Sequence, residues 1–306
     1  MSLPTQLSIN QRRRFALATP ALCAYDAAPP GYCAQSIDTN ITADLVRFHL
    51  YRQRTTVERF ILGAKYRQSA RQLSLECLRQ SFPELTAEAF AKKIASAWLQ
   101  EKCPPDYIPP NLMSWSQDPT AIASLLAQIL NAANIPYYIT GGVAAIAHGE
   151  PRATIDLDVV IAIDLTDLPT LAASFEANGF YVAGLADVMM GSLRCLNITH
   201  LETIENVYLM ISGREEYDLI KFERSRSYTL SGSGEVAIAS PEDVIISKLI
   251  WRRESQSDKQ WRDILGILKV QREKLDFVYL QEWVDRFGLE DDWQRAKVEA
   301  GVSQLV

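Results

Sequence analysis

From Ile41 to about Gln100, apolar residues recur at three- and four-residue spacing: Leu45 and Phe48, then Val57, Phe60 and Ile61, then Leu75 and Leu78. That is the period of amphipathic helices, and it predicts two or three of them packed on one another over 41–100. Ser81-Phe82-Pro83-Glu84-Leu85-Thr86 interrupts the pattern, and Thr86 can start a further helix reaching Trp98. Ahead of Ile41 the period is absent. Pro4, Pro20, Pro29, Pro30 and Gly31 predict a mostly irregular segment over 1–40. Residues 101–119 contain the pairs Pro104-Pro105 and Pro109-Pro110 and end at Asp118-Pro119, so they read as a Pro-rich linker.

Beyond the linker the pattern changes. Ala121 to Asn131 predicts a helix with Leu125, Leu126 and Leu130 available for burial. Ile135 to Thr140 predicts a buried strand, ended by Gly141-Gly142, which open a short Ala-rich helix. Ile155-Asp156-Leu157-Asp158-Val159 alternates with period two and continues into an apolar run. A strand there turns Ile155, Leu157 and Val159 to the core and sets Asp156 and Asp158 side by side on the other face. A helix over Asp167–Asn178 stops at Gly179, which suits a left-handed C-terminal residue. Short strands are predicted next around Tyr181-Val182, Leu193–Thr199 and Asn206–Ile211. Ser240-Pro241-Glu242-Asp243 has the form of a helix start, with Ser240 as N-cap, Pro241 at N1 and Asp243 able to close a capping box. That helix carries Lys248, and another from about Asp258 carries Asp263. The whole predicts an α/β (α+β) domain with C-terminal helices over 120–306, preceded by a helical region.

Composition narrows the class. The 306 residues have the apolar and charged fractions of a globular protein. No apolar run reaches membrane-spanning length, and the Arg12-Arg13-Arg14 start has no signal-peptide character, so a cytoplasmic location without membrane contact is expected. The cysteines Cys23, Cys33, Cys77, Cys103 and Cys195 are scattered without metal spacing and read as reduced thiols. Residues 1–100 carry 13 Lys/Arg against 7 Asp/Glu, a balance of +6, whereas the whole chain is −6, which leaves −12 for the rest. Asymmetry of this kind can mark a nucleic-acid face. The ordinary alternative, which is favoured, is that Arg52, Arg54, Arg59, Lys65, Arg67 and Arg71 decorate solvated helix faces. His49 reads as structural.

The chemistry concentrates in Gly141-Gly142 and in Arg152-Ala153-Thr154-Ile155-Asp156-Leu157-Asp158. Two adjacent carboxylates repel, and a divalent cation between them removes that cost; Mg²⁺ favours one or two carboxylates completed by substrate phosphates. The joint spacing resembles the nucleotidyltransferase superfamily of polymerase-beta-like fold, and is most similar to the bacterial group around the abortive-infection toxin AbiEii. The resemblance implies a nucleotidyltransferase fold with a mixed sheet. It implies Mg²⁺ (or Mn²⁺) on Asp156 and Asp158, and an NTP whose phosphates meet Gly141, Gly142, Arg152 and Thr154. It further implies that Lys248 reaches a phosphate and that Asp263 orients it. Arg152 could instead pair with Glu150 or Asp156. Thr154 and His148 read as local hydrogen-bond partners, His148 with its charge favoured by a helix C-terminus.

The expected activity is NMP transfer from an NTP to a hydroxyl of RNA, protein or a small molecule, in a toxin-like setting with an antitoxin or other protein partner. One departure stands out. The family's third carboxylate comes at the end of a pattern that Asn197, His200 and Thr203 fit, but its position holds Tyr208. A tyrosine stays protonated at neutral pH and cannot replace a carboxylate ligand. Glu205 should face the opposite side of that strand, leaving Asn206 or Asp218 as compensating groups. Two alternatives therefore stand beside the enzyme: a catalytically degenerate nucleotide-binding or interaction module of the same fold, and a small-molecule nucleotidyltransferase of the antibiotic-modifying kind.

Overall fold

The N-terminal helices begin where side chains can satisfy their free amides. α1 (Ile41–Arg52) is capped by Asn40, α2 (Thr56–Ser81) by a reciprocal box between Thr55 and Glu58, and α3 (Ala87–Leu99) by Thr86. The protein is described by a computed structural model over residues 28–100, 103–104, 107–108, 120–230 and 234–305. Most of the irregular 1–40 segment and of the 101–119 linker thus lies outside the described residues.

Next come α4 (Ala121–Ala132), β1 (Tyr137–Thr140), α5 (Gly141–His148), β2 (Leu157–Ile161) and α6 (Leu168–Ala177). β3 (Phe180–Ala183), α7 (Leu185–Met189), β4 (Cys195–His200) and β5 (Glu205–Ile211) succeed them. The chain then forms α8 (Glu216–Arg224), β6 (Arg226–Leu230) and β7 (Gly234–Ile238). α9 (Pro241–Ser255), α10 (Asp258–Gln271), α11 (Phe277–Phe287) and α12 (Glu290–Ala300) complete it. Among the described residues, seven strands form one sheet in the order β3-β4-β5-β2-β1-β7-β6. β2 runs parallel to β5 and β1 to β7, while the other neighbours are antiparallel, so the sheet is mixed and the fold is α/β.

Alternation divides the sheet into two faces. Ile139, Leu157, Val159, Ile161, Leu196, Ile198, Val207 and Leu209 are buried on one side in a continuous core that includes residues of α4, α5 and α6. Thr140, Asp158, Val160, Tyr208, Met210, Cys195 and Asn197 stand on the other, all partly exposed. Ile155 does not join the core as expected; it is 67 % exposed. β2 starts only at Leu157, because β1 ends at Thr140, opposite Asp158, and offers residues 155 and 156 no ladder partner.

The arginines of the helical region are, for the most part, not the solvated decoration expected. Arg54 and Lys65 are exposed as expected. Arg59 is buried and donates to the carbonyls of Ala147 (2.8 Å), Tyr51 (3.1 Å) and Arg54 (2.5 Å). Arg71 donates to the carbonyls of Thr203 (3.0 Å) and Ile204 (2.7 Å), and with Arg67 it pairs Glu205. Arg52 donates to Lys269 O (2.9 Å). Guanidinium groups thus fasten α1 and α2 to α5, α10 and the β4–β5 hairpin. Gly63 lets α2 approach α5, since a Cβ there would overlap Ile146 Cγ2.

A second clamp holds residues 32–44 against α10. Asp44 is fully buried and accepts from Tyr32 Oη (2.6 Å), Gln35 N (3.1 Å), Arg47 (2.6 Å) and Lys269 Nζ (3.0 Å). Such a carboxylate is tolerated because its oxygens are met by donors on every side.

Arg59→Ala would leave the Ala147 and Arg54 carbonyls without their guanidinium donor and take one donor from Tyr51 O, which keeps the Arg54 amide. Each buried group left unpaired costs roughly 1–3 kcal/mol, so a loss of about 3 kcal/mol is expected in urea unfolding. Arg59→Lys should recover little, because an ammonium lacks the planar fork. An unchanged midpoint in either variant would contradict the clamp.

Candidate active site

β1 delivers the chain to Gly141 at φ +60, a conformation that favours glycine. There is a second reason for glycine: a Cβ on Gly141 would overlap Asp158 Oδ2. A Cβ on Gly142 would lie 2.7 Å from Thr154 Oγ1 and 3.6 Å from an Arg152 nitrogen. The glycine turn is therefore seated directly on Asp158 and Thr154. The Gly142 N–H points at Asp158 Oδ2 from 3.5 Å, the outer limit of a hydrogen bond.

Asp156 lies just ahead of β2 and accepts from Asn206 Nδ2 at 3.0 Å. Asn206 is itself buried on β5 beside Thr199 Oγ1 (3.4 Å). Burial pushes the Asp158 carboxyl up from its ordinary value, and the charge of Asp156 adds to this; the Gly142 amide, Lys248 and Lys259 oppose it. Two close carboxylates, one costly to ionise, suit a divalent cation completed by phosphate oxygens. Among the described residues no group of three or more His, Cys, Asp or Glu side chains forms a metal cage.

Lys248 and Asp263 come together, and Arg152 joins them. Lys248 Nζ is 2.7 Å from Asp263 Oδ2 and donates to Gln260 Oε1 at 2.8 Å. Arg152 grips both Asp263 oxygens, at 2.8 and 2.7 Å. Arg152 thus pairs with neither Glu150 nor Asp156; Glu150 is taken by Arg262 and Arg47. Lys248 is 5 % exposed and so is no solvated helix lysine. Burial lowers its pKa, against the pull of Asp263. Burial would raise the Asp263 carboxyl, but the Arg152 hydrogen bonds and the charges of Lys248 and Arg152 hold it below the usual range.

Tyr208 is directly opposite Asp158 across the parallel β2–β5 pair, and Asn197 is opposite Tyr208 on β4. The position adjoining Asp158 therefore carries a phenol. Glu205 faces away, paired with Arg67 and Arg71, as its spacing requires. Asp218 lies on α8, a helix that the apolar pattern does not announce, 3.0 Å from Lys221. It helps line a cavity of about 210 Å³ that also reaches Tyr138, Thr140, Gly141, Val160 and Lys248. A larger open depression between α4 and α6, about 780 Å³, touches none of the candidate residues.

Other motif residues are structural. His200 Nδ1 is 2.9 Å from Thr203 Oγ1 and closes the β4–β5 turn. Ser240 caps α9 as expected, but Asp243 bonds the Ser240 hydroxyl (2.6 Å) and Tyr279 Oη (2.6 Å), and no reciprocal bond to the Ser240 amide is formed. His148 is not the charged imidazole its helix end suggests. It is buried, its Nε2 donates to Ala239 O at 2.7 Å, and burial pushes it down to about 4. Sequence reasoning missed the roles of Gln260, Lys259 and Asn197. Gln260 and Lys259 are near Asp263 in sequence, yet nothing in their identity marks them as partners of Lys248 and Asp158.

No known family pattern matches the chain, and no curated protein matches it. Among solved structures it is similar to an antigenic nucleotidyltransferase-like protein from Paracoccidioides brasiliensis, at 22 % identity and TM-score 0.39, over 60 % of this chain and 95 % of that one. It is similar to the antibiotic-resistance factor ANT(2'')-Ia at 16 % identity and TM-score 0.40, over 57 % and 93 %. It is also similar to a STING-associated CdnE c-di-GMP synthase from Capnocytophaga granulosa at 12 % identity and TM-score 0.23, over 72 % and 70 %. These likenesses are partial and concern architecture alone. Among the described residues, the seven-stranded mixed sheet with its helices is an α/β architecture.

The buried charges make two measurable differences. Asp263→Asn removes the one countercharge shared by Lys248 and Arg152 and should cost roughly 3 kcal/mol in urea unfolding, within the range for breaking a buried pair. A stable variant would mean that the two cations have other partners. His148, neutral when folded and ordinary when unfolded, contributes stability above about 6.5 that is lost as pH falls toward about 4. His148→Gln should flatten the pH dependence of the unfolding free energy in that window; an unaltered slope would place the imidazole in solvent.

Proposed function

We propose that the chain moves an NMP from an NTP to a hydroxyl acceptor with the help of Mg²⁺ or Mn²⁺. The observation that carries this is the seating of Gly141 on Asp158. One contact places a backbone turn that can approach phosphates against a carboxylate suited to a divalent cation. Asp156, oriented by Asn206, and Asp158 would hold the ion. When bound, it neutralises phosphate charge and stabilises the attacking and leaving oxygens.

The chain's own groups supply position and charge. The start of α5 offers its positive end to the phosphates from the turn. Lys248, held by Asp263 and Gln260 on the wall of the cavity that reaches Gly141, can share its ammonium with a phosphate oxygen. Arg152 offsets charge on the same flank, and Thr154 supports the turn beneath Gly142. Asp263 acts through the two cations it fixes. Phosphoryl chemistry asks for little else from a protein than positioning and electrostatics.

The second reading, a nucleotide-binding module with little turnover, is favoured by Tyr208 beside Asp158. The acceptor class is open among RNA, protein and a small molecule of the antibiotic kind, as is an antitoxin partner. The expected location is cytoplasmic; among the described residues no helix is long and apolar enough to cross a membrane.

The double variant Asp156→Asn, Asp158→Asn keeps size and hydrogen bonding and removes the charge. Calorimetry should show Mg²⁺–NTP binding abolished and the unfolding midpoint nearly unchanged. Unaltered affinity would remove both residues from the site.

A further inference from the structure

The group that most needs an explanation is Tyr208. It occupies the same register as Asp158 on the neighbouring parallel strand, so the two side chains rise from the same face of the sheet. The row across that face is Thr140, Asp158, Tyr208 and Asn197, taken from β1, β2, β5 and β4. Asn197 Oδ1 is buried in this row without a hydrogen-bond partner. Thr140 and the turn after it are the phosphate side of the row. Tyr208 is therefore on the side from which an acceptor must approach.

Adjacent strands lie about 4.8 Å apart. A tyrosine side chain is longer than an aspartate, so a phenol on this strand can reach the height of a phosphate held above Asp158. In-line attack requires about 3–3.5 Å between nucleophile and phosphorus, a gap within reach of a neighbouring strand. Tyr208 is partly exposed.

We propose that Tyr208 is itself a hydroxyl acceptor: the protein nucleotidylates its own tyrosine. This rests on the NMP-transfer reading above. Tyr208 Oη forms a bond to the α-phosphorus of the NTP. The bond from that phosphorus to the bridging oxygen breaks, and pyrophosphate leaves with the pair of electrons. The phenolic proton passes to the released pyrophosphate. No electron transfer is involved, and the product is a tyrosyl phosphodiester that remains in the site. Its bulk would occupy the acceptor side, so modification also closes the site to other hydroxyls.

The experiment incubates the purified full chain with Mg²⁺ and each of the four NTPs in turn, and tracks intact mass and peptide maps. Calorimetry measures NTP binding on the same samples. The expected result is one nucleotidyl group per chain, mapped to Tyr208. It should be lost in Tyr208→Phe, which keeps the ring, and retained in Tyr181→Phe, an exposed tyrosine on β3. Phosphodiesterase should restore the original mass. Label on another residue, or none on a wild-type protein that binds the NTP, would overturn the self-modification and leave the nucleotide site standing. Failure of any NTP to bind would overturn both.

Discussion

Gly141 lies so close to Asp158 that a side chain at Gly141 would displace the carboxylate. A Cβ has no room, and the positive φ that carries the chain from β1 into α5 excludes most residues for a second reason. This contact depends on the β1–β2 register, in which Thr140 is opposite Asp158. A slip of one residue would turn Asp158 into the core and Leu157 to solvent, so the apolar alternation of β2 protects the site as well as the sheet. The hydrophobic core therefore sets the position of a carboxylate that is not part of it.

Three buried carboxylates are handled in the same way. Asp263 serves Lys248 and Arg152, Asp44 serves Lys269 and Arg47, and Glu150 serves Arg262 and Arg47. In each case one carboxylate meets two cations from different segments. Pairing of this kind seldom adds much net stability, because desolvation offsets the attraction, but breaking it leaves an uncompensated ion. Its effect is to specify which helices meet. Around Asp263 it also buries Lys248, whose pKa burial lowers against the pull of the carboxylate.

The surroundings of Asp158 differ in character from one side to the other. Gly141, Asp158, Lys248 and Arg152 form a charged flank, whereas Tyr208, Asn197, Cys195 and Met210 form one without formal charge. Burial raises the Cys195 thiol to about 11, which keeps it protonated in that setting. Tyr208 thus sets a neutral phenol on the strand beside Asp158.

Much was legible in the chain because it depends on short-range pattern. The capped starts of α3 and α9, the Gly141-Gly142 turn and the nearness of Asp156 and Asp158 come from spacing of a few residues. Other features depend on partners far away in sequence. Ile155 is exposed because β1 ends early. Arg59 and Arg71 are clamps because carbonyls 88 and more than 130 residues away come to meet them. His148 is neutral because Ala239 and the core around it exclude water, which outweighs the local pull of a helix end. β6, β7 and α8 are short, and their pairing rather than their pattern identifies them. The sequence by itself determined which residues could carry charge and turn the chain. Only the tertiary structure decided which of those charges meet and which face water, because desolvation and pairing depend on neighbours that local spacing does not name.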